Sequence, residues 1–193
     1  MNIRIHRILE DTAAEGPGRR FCIWVQGCER GCPGCFAVDT WDRNGGSLMD
    51  TAQIIAKLEN RMNRQPPLEG VTFLGGEPFL QAAALNEIAS FAKEKGLSVF
   101  CFTGYTLEEL RLSGGTAREL LTKIDLLADG PYIAEQREFS RPWVGSANQQ
   151  FHYLTDRYAP EQILGLHNKV EIRLRRDGSI LVNGMGEYRN PDR

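Results

Sequence analysis

The sequence predicts an α/β protein, an incomplete parallel (β/α) barrel with a C-terminal β-hairpin. Three observations predict it. First, Phe21 to Val25 is a continuous apolar run, the mark of a strand buried on both faces, and the mostly apolar stretches Val71 to Leu74, Leu97 to Phe102 and Ile124 to Ala128 read as three further strands. Second, each run feeds a loop, and helical patterns separate one run from the next, which calls for right-handed crossovers and a parallel sheet. Third, beyond residue 155 the pattern turns to strict alternation around Asp177-Gly178, a strong hairpin turn. Residues 1–155 are therefore expected to form the core domain and residues 156–193 an extension.

The 193 residues can bury a substantial core, and 41% hydrophobic with 25% charged residues is ordinary globular composition. A net charge of −2 gives no electrostatic reason to expect nucleic acid or a membrane surface. No apolar run approaches the ~20 residues that span a bilayer. The first residues alternate like a strand, not like an export signal, so the five cysteines are expected to be free in a reducing cytoplasm.

In chain order, residues 2–9 read as a short strand and Asp11 to Gly18 as a loop with turn chemistry at Gly16-Pro-Gly18. Cys22, inside the first apolar run, reads as a structural thiol. Ser47-Leu-Met-Asp50 has the form of a capping box, followed by Leu48, Ala52, Ile55, Leu58 and Met62 at helical spacing, with an end before Pro66-Pro67. Pro78 suits the first turn of the next helix. That helix presents Leu80, Ala84, Ile88 and Phe91 on one face and closes at Gly96. Thr106-Leu-Glu-Glu109 and Thr116-Ala-Arg-Glu119 are further capping boxes. Residues 132–150 carry no clean period and read as a functional or connecting loop, and Phe151 to Leu154 as one more strand.

The chemistry centres on Gln26-Gly-Cys-Glu-Arg-Gly-Cys-Pro-Gly-Cys35, where Cys28, Cys32 and Cys35 make a CxxxCxxC pattern. So short and glycine-rich a loop wraps something small. Thiolates suit iron–sulfur clusters, zinc and copper(I). A disulfide is disfavoured by the odd cysteine count, and closed structural zinc by the lack of a fourth ligand at finger spacing. A cubane cluster usually takes four thiolates, so three would leave one iron open.

CxxxCxxC with a downstream Gly75-Gly-Glu-Pro78 resembles the signature of the radical S-adenosylmethionine (SAM) enzymes. Gly16-Pro-Gly-Arg-Arg20, Cys32-Pro-Gly-Cys35, Thr40-Trp41, Thr103-Gly-Tyr105, Asp129-Gly130 and Gly145-Ser-Ala-Asn-Gln149 follow the order seen in activating proteins of anaerobic ribonucleotide reductases. The resemblance covers residues 1–155. It implies a [4Fe–4S] cluster on Cys28, Cys32 and Cys35, with SAM chelating the open iron. It implies reductive cleavage to a 5′-deoxyadenosyl radical and a large glycyl radical enzyme as partner, anaerobic ribonucleotide reductase first, fed by a flavodoxin or ferredoxin-type donor. It assigns Gly75, Gly76 and Glu77 to the methionine end of SAM. It brings Gly16–Gly18 near the cluster mouth, where residue type alone reads a connector.

Many radical SAM enzymes carry an aromatic residue just before the last cysteine. Here Gly34 stands there, and Phe36 is the candidate adenine platform. Thr103, Tyr105 and Asp129 close successive strands and should ring the same mouth. Asp129 could bind ribose, orient the partner's loop or cap the next turn. The C-terminal hairpin could recognise a partner or close a sheet edge. Two other functions remain open. One is a radical SAM enzyme acting on a small molecule or ribosomal peptide, although Cys22 and Cys101 are too few for a second all-cysteine cluster. The other is a zinc-stabilised, non-enzymatic binding module.

Overall fold

Four strands run side by side in one direction: β2 (Arg20–Val25), β4 (Gly70–Gly75), β5 (Ser98–Phe102) and β6 (Leu126–Asp129). These are the four apolar runs of the sequence, in the expected parallel arrangement. The computed structural model describes residues 1–185, so the last eight positions of the expected extension lie outside the described residues. Antiparallel strands flank the parallel set. β1 (Asn2–Thr12) and β3 (Ser47–Asp50) lie beside β2, and β7 (Gln150–Tyr153) lies beside β6, giving the order β3-β1-β2-β4-β5-β6-β7. Among the described residues no pairing joins β3 to β7, so this is an open mixed sheet rather than a closed barrel.

Both faces of the parallel strands are covered, which explains their mostly apolar composition. Phe21, Ile23 and Val25 of β2 point to the helical face with Val71, Phe73, Val99, Cys101 and Leu127. There they meet α1 (Thr51–Met62), α2 (Ala82–Glu94), α3 (Leu107–Leu112) and α4 (Gly115–Leu121) through Ile54, Leu58, Leu85, Ile88, Leu110 and Leu120. The opposite face holds Cys22, Trp24 and Leu74 in one cluster and Phe100, Leu126 and Ala128 in another. Trp143, Val144 and Ile163 of α5 (Pro160–Leu164) cover the second cluster. No helix among the described residues is long and apolar enough to cross a membrane.

Two expected helix caps move. Ser47 to Asp50 is strand β3, with Met49 opposite Ile3 on β1, and the cap is Asp50, whose carboxylate accepts from Ala52 N at 2.8 Å. Ser47–Asp50 and Asp50–Gln53 are overlapping boxes, and pairing with β1 extends the backbone of the first. Thr116 lies inside α4, which starts at Gly115 after an N-cap at Gly114. The box at Thr106 and Glu109 forms as expected, and Gly96 follows α2 at φ +74°.

The expected hairpin of β8 (Val170–Leu174) and β9 (Ile180–Gly184) also forms, with its polar face turned inward. Glu171 accepts from Thr12 Oγ1 at 2.8 Å and from Ala13 N at 2.7 Å, and Asn183 donates to Thr12 Oγ1 at 2.9 Å. Ile172, Leu174, Ile180 and Val182 are left exposed. Buried polar partners on β1 and the loop after it outweigh the usual preference for apolar residues inside.

The Gly16-Pro-Gly18 loop is far from the cysteines. It precedes β2 and lies at the N-terminal ends of the strands, whereas the cysteines follow β2. Its neighbour Arg20 is fully buried and donates to the carbonyls of Pro17 at 3.1 Å, Val71 at 2.5 Å and Ser98 at 3.2 Å, and to Thr72 Oγ1 at 2.6 Å. Tyr158 and Ser98 hydroxyls complete the cage at 3.2 and 3.0 Å. Replacing Arg20 with Leu strands these buried acceptors and is expected to lower stability by about 3 kcal/mol. A urea titration reads this as an earlier midpoint at unchanged slope. A loss below about 1 kcal/mol would show that the carbonyls find other donors.

Candidate functional site

The loop after β2 is fastened before it turns. Gln26 donates through Nε2 to the carbonyls of Asp39 at 3.1 Å and Asp42 at 2.8 Å. Gly27 N donates to Thr40 O at 2.7 Å and Cys28 N to Trp41 O at 3.2 Å. Thr40-Trp41 therefore anchors the returning arm of the cysteine loop. Cys35 N donates to Cys32 O at 3.1 Å, and Ala37 N approaches Cys35 Sγ at 3.4 Å. Cys28 Sγ accepts from the backbone of Arg30 and Gly31.

Cys28, Cys32 and Cys35 line one hollow of about 150 Å³ at the C-terminal ends of β2, β4, β5 and β6. All three are half-buried, while Cys22 and Cys101 are buried away from it. Burial pushes the Cys22 and Cys101 thiols upward and keeps them inert. Desolvation also raises Cys28, against the two backbone donors. Among the described residues no three His, Cys, Asp or Glu side chains converge as a single ion requires. Three soft donors spread around a cavity, two of them receiving N–H groups at sulfur, fit a multi-iron cluster.

Gly75 and Gly76 form a ledge beside the thiols. A side chain at Gly76 would lie 2.3 Å from Gly27 O, because Gly76 N donates to Val25 O at 2.9 Å and Glu77 N to Gly27 O at 2.8 Å. The two glycines are required by this backbone-to-backbone approach of the β2 and β4 loops. Glu77 is buried, with burial raising its carboxyl above the usual range. Its Oε1 accepts from Phe79 N at 3.0 Å and Thr103 Oγ1 at 2.9 Å, and its Oε2 accepts from Gly104 N at 2.8 Å. Glu77 and Thr103 both line the hollow, yet each is spent holding the ends of β4 and β5 together.

Of the other residues singled out in the sequence, Gln149 lines the hollow, whereas Phe36, Gly34, Asp129, Ser146 and Asn148 lie outside its lining. Phe36 is 60% exposed and packs edge-on against Tyr132, ring centroids 5.2 Å apart. Gly34 leaves room for that same ring, since a Cβ there would be 3.6 Å from Tyr132 Cε1. Asp129 faces the helical side. Its Oδ2 accepts from Leu107 N at 2.6 Å and lies 2.8 Å from His152 Nε2, in a separate groove between α3 and β7. Asp129 is thus a cap. Ser146, Asn148 and Gln149 clamp the long loop: Ser146 Oγ accepts from Ile133 N at 3.2 Å, Asn148 donates to Pro131 O at 2.8 Å, and Gln149 donates to Gly130 O at 3.2 Å. Sequence reading missed Arg30 and Tyr132, which line the hollow. Arg30 sits inside the cysteine motif, and Tyr132 stands just past the fourth strand's end.

The chain was compared with known proteins. The family described as "4Fe-4S single cluster domain" matches residues 14–152. Three proteins named anaerobic ribonucleoside-triphosphate reductase-activating protein are similar to it. That of Salmonella typhi is 30% identical over 161 residues, covering 79% of this chain and 99% of its own. That of Haemophilus influenzae is 36% identical over 145 residues, covering 71% and 89%. That of Enterobacteria phage T4 is 27% identical over 154 residues, covering 78% and 94%. Among solved structures, QueE from Escherichia coli matches at a TM-score of 0.44 and 20% identity, over 55% of this chain and 54% of that one.

Replacing Glu77 with Ala leaves Phe79 N, Gly104 N and the Thr103 hydroxyl without their acceptor. Stability should fall by about 2–3 kcal/mol in a urea titration. Glu77→Gln should recover only part, because its amide sets one NH₂ against a donor. Full recovery by Gln would show that the carboxylate is not what fastens the two strand ends.

Proposed function

The chain belongs to the 4Fe-4S single cluster domain family and to the family of anaerobic ribonucleoside-triphosphate reductase-activating proteins, and on that premise we propose that it is the oxidoreductase that activates such a reductase by making a glycyl radical. When bound, the cluster and SAM supply the chemistry: one electron splits the sulfonium carbon–sulfur bond into methionine and a 5′-deoxyadenosyl radical, which takes a hydrogen atom from a glycine of the partner. The observation that carries the proposal is the placing of all three motif cysteines and the Gly75-Gly76 ledge around one hollow.

Cys28, Cys32 and Cys35 would hold three cluster corners, leaving the fourth iron to SAM. Gly75 and Gly76 offer backbone rather than side chain to a ligand, which suits carbonyl contacts to the methionyl ammonium. Glu77, with both oxygens engaged, acts on that ammonium from behind, as a fixed negative charge and a brace. Trp41, Phe102 and Tyr132 give the hollow the flat apolar walls that a purine needs. Asp129 and Phe36 have no part in this assignment. Four parallel strands with a site at their C-terminal ends support reading the sheet as an incomplete barrel of the radical SAM type. Residues 1–155 would be its core and 156–193 an extension. A flavodoxin or ferredoxin-type donor in the reducing cytoplasm would supply the electron.

Two experiments test this. Anaerobic loading with iron and sulfide should give about four irons per chain. Cys28→Ala, Cys32→Ala and Cys35→Ala should each abolish the visible absorbance, while Cys22→Ala and Cys101→Ala keep it. A cluster surviving loss of a motif cysteine would contradict the ligand set. With dithionite and SAM, 5′-deoxyadenosine should accumulate, and a doublet EPR signal should arise when the reductase is present. Nucleoside release beside an EPR-silent reductase would count against activation.

A further inference from the structure

Among the described residues, Arg30 is the one basic side chain lining the hollow. Its surroundings hold it there without occupying its donors. Its stem fills the space left by Gly104, where a Cβ would lie 2.9 Å from Arg30 Cγ. Its guanidinium sits over the Tyr105 ring at 4.9 Å from the centroid. The one ion pair it makes among the described residues is with Glu109, Nη1 to Oε1 at 3.8 Å, too long for a hydrogen bond. Glu109 is also committed elsewhere, accepting from Thr106 N at 2.6 Å through its other oxygen. Stacking on Tyr105 fixes the guanidinium's position and leaves the fork of N–H groups free.

A planar fork of donors, half-buried beside a cavity and stacked from behind, matches a carboxylate in two-point contact. The other charge at the cavity wall, Glu77, has the opposite sign and lies next to the Gly75-Gly76 ledge. A ligand bearing an ammonium and a carboxylate on one carbon would satisfy both poles. We propose that Arg30 is the carboxylate-recognising residue of this site and takes the α-carboxylate of the amino-acid end of SAM. This rests on the reading of the hollow as a SAM site. It also explains the Thr103-Gly-Tyr105 word: Thr103 braces Glu77, Gly104 makes room for the Arg30 stem, and Tyr105 carries its guanidinium.

The test is equilibrium binding to the cluster-loaded full chain under anaerobic conditions, with SAM and with decarboxylated SAM as probes. Iron content is measured in every sample. Arg30→Gln should weaken SAM binding about tenfold to hundredfold while changing decarboxylated SAM less than about twofold. Arg30→Lys, which keeps charge and stem but loses the fork, should show part of the same loss, again for SAM alone. Equal losses for both probes, or no loss for SAM, would overturn the assignment and leave the SAM site standing. If the fully loaded, unsubstituted chain binds neither probe, the SAM reading itself fails, and this inference with it.

Discussion

A single buried carboxylate fastens the working end of this sheet. Glu77 accepts three hydrogen bonds, two of which, from Thr103 and Gly104, tie the end of β4 to the end of β5, and its own backbone N–H holds the cysteine loop through Gly27 O. Burial works against its charge, and the three donors offset that cost. Further backbone bonds bring in the next strand end, Thr103 N to Ala128 O and Gly130 N to Tyr105 O, both at 2.9 Å. The hollow beside the thiols is therefore walled by loops that are bonded to one another, and its shape is set before any ligand arrives.

The opposite end of the sheet has a brace of its own. There Arg20 gathers carbonyls and hydroxyls from β4, β5, the preceding loop and Tyr158. Tyr158 in turn donates to Glu69 Oε1 at 3.1 Å. The thiol hollow and the Arg20 cage thus sit at opposite ends of the same four strands. Gly16-Pro-Gly-Arg-Arg20 and the cysteine motif are neighbours in sequence, but β2 separates them in space.

Much of this was legible beforehand. Mostly apolar stretches marked all four parallel strands, and the cysteine spacing with the glycine pair marked residues that line one hollow. The failures have a common cause. Strands buried on both faces lose the alternation that would assign a residue to one side, so Asp129 could be placed at a strand's end but not on its helical face, where it caps α3. The hairpin itself was legible from its alternation and turn, but which face it turns inward was not, because Glu171 and Asn183 find partners at Thr12, Ala13 and Glu15 that no local pattern reveals. Phe36 was named for its closeness in sequence to Cys35, whereas the rings lining the hollow are those of Trp41, Phe102 and Tyr132, all farther along the chain.

The central claim is that the thiol hollow holds a cluster with one iron left for SAM. Mössbauer spectroscopy of the ⁵⁷Fe-loaded chain, recorded anaerobically with and without SAM, tests it most directly. The account predicts that SAM moves one iron of the four to a distinct, higher isomer shift and leaves the other three nearly unchanged. A spectrum of equivalent irons that SAM does not alter would contradict it.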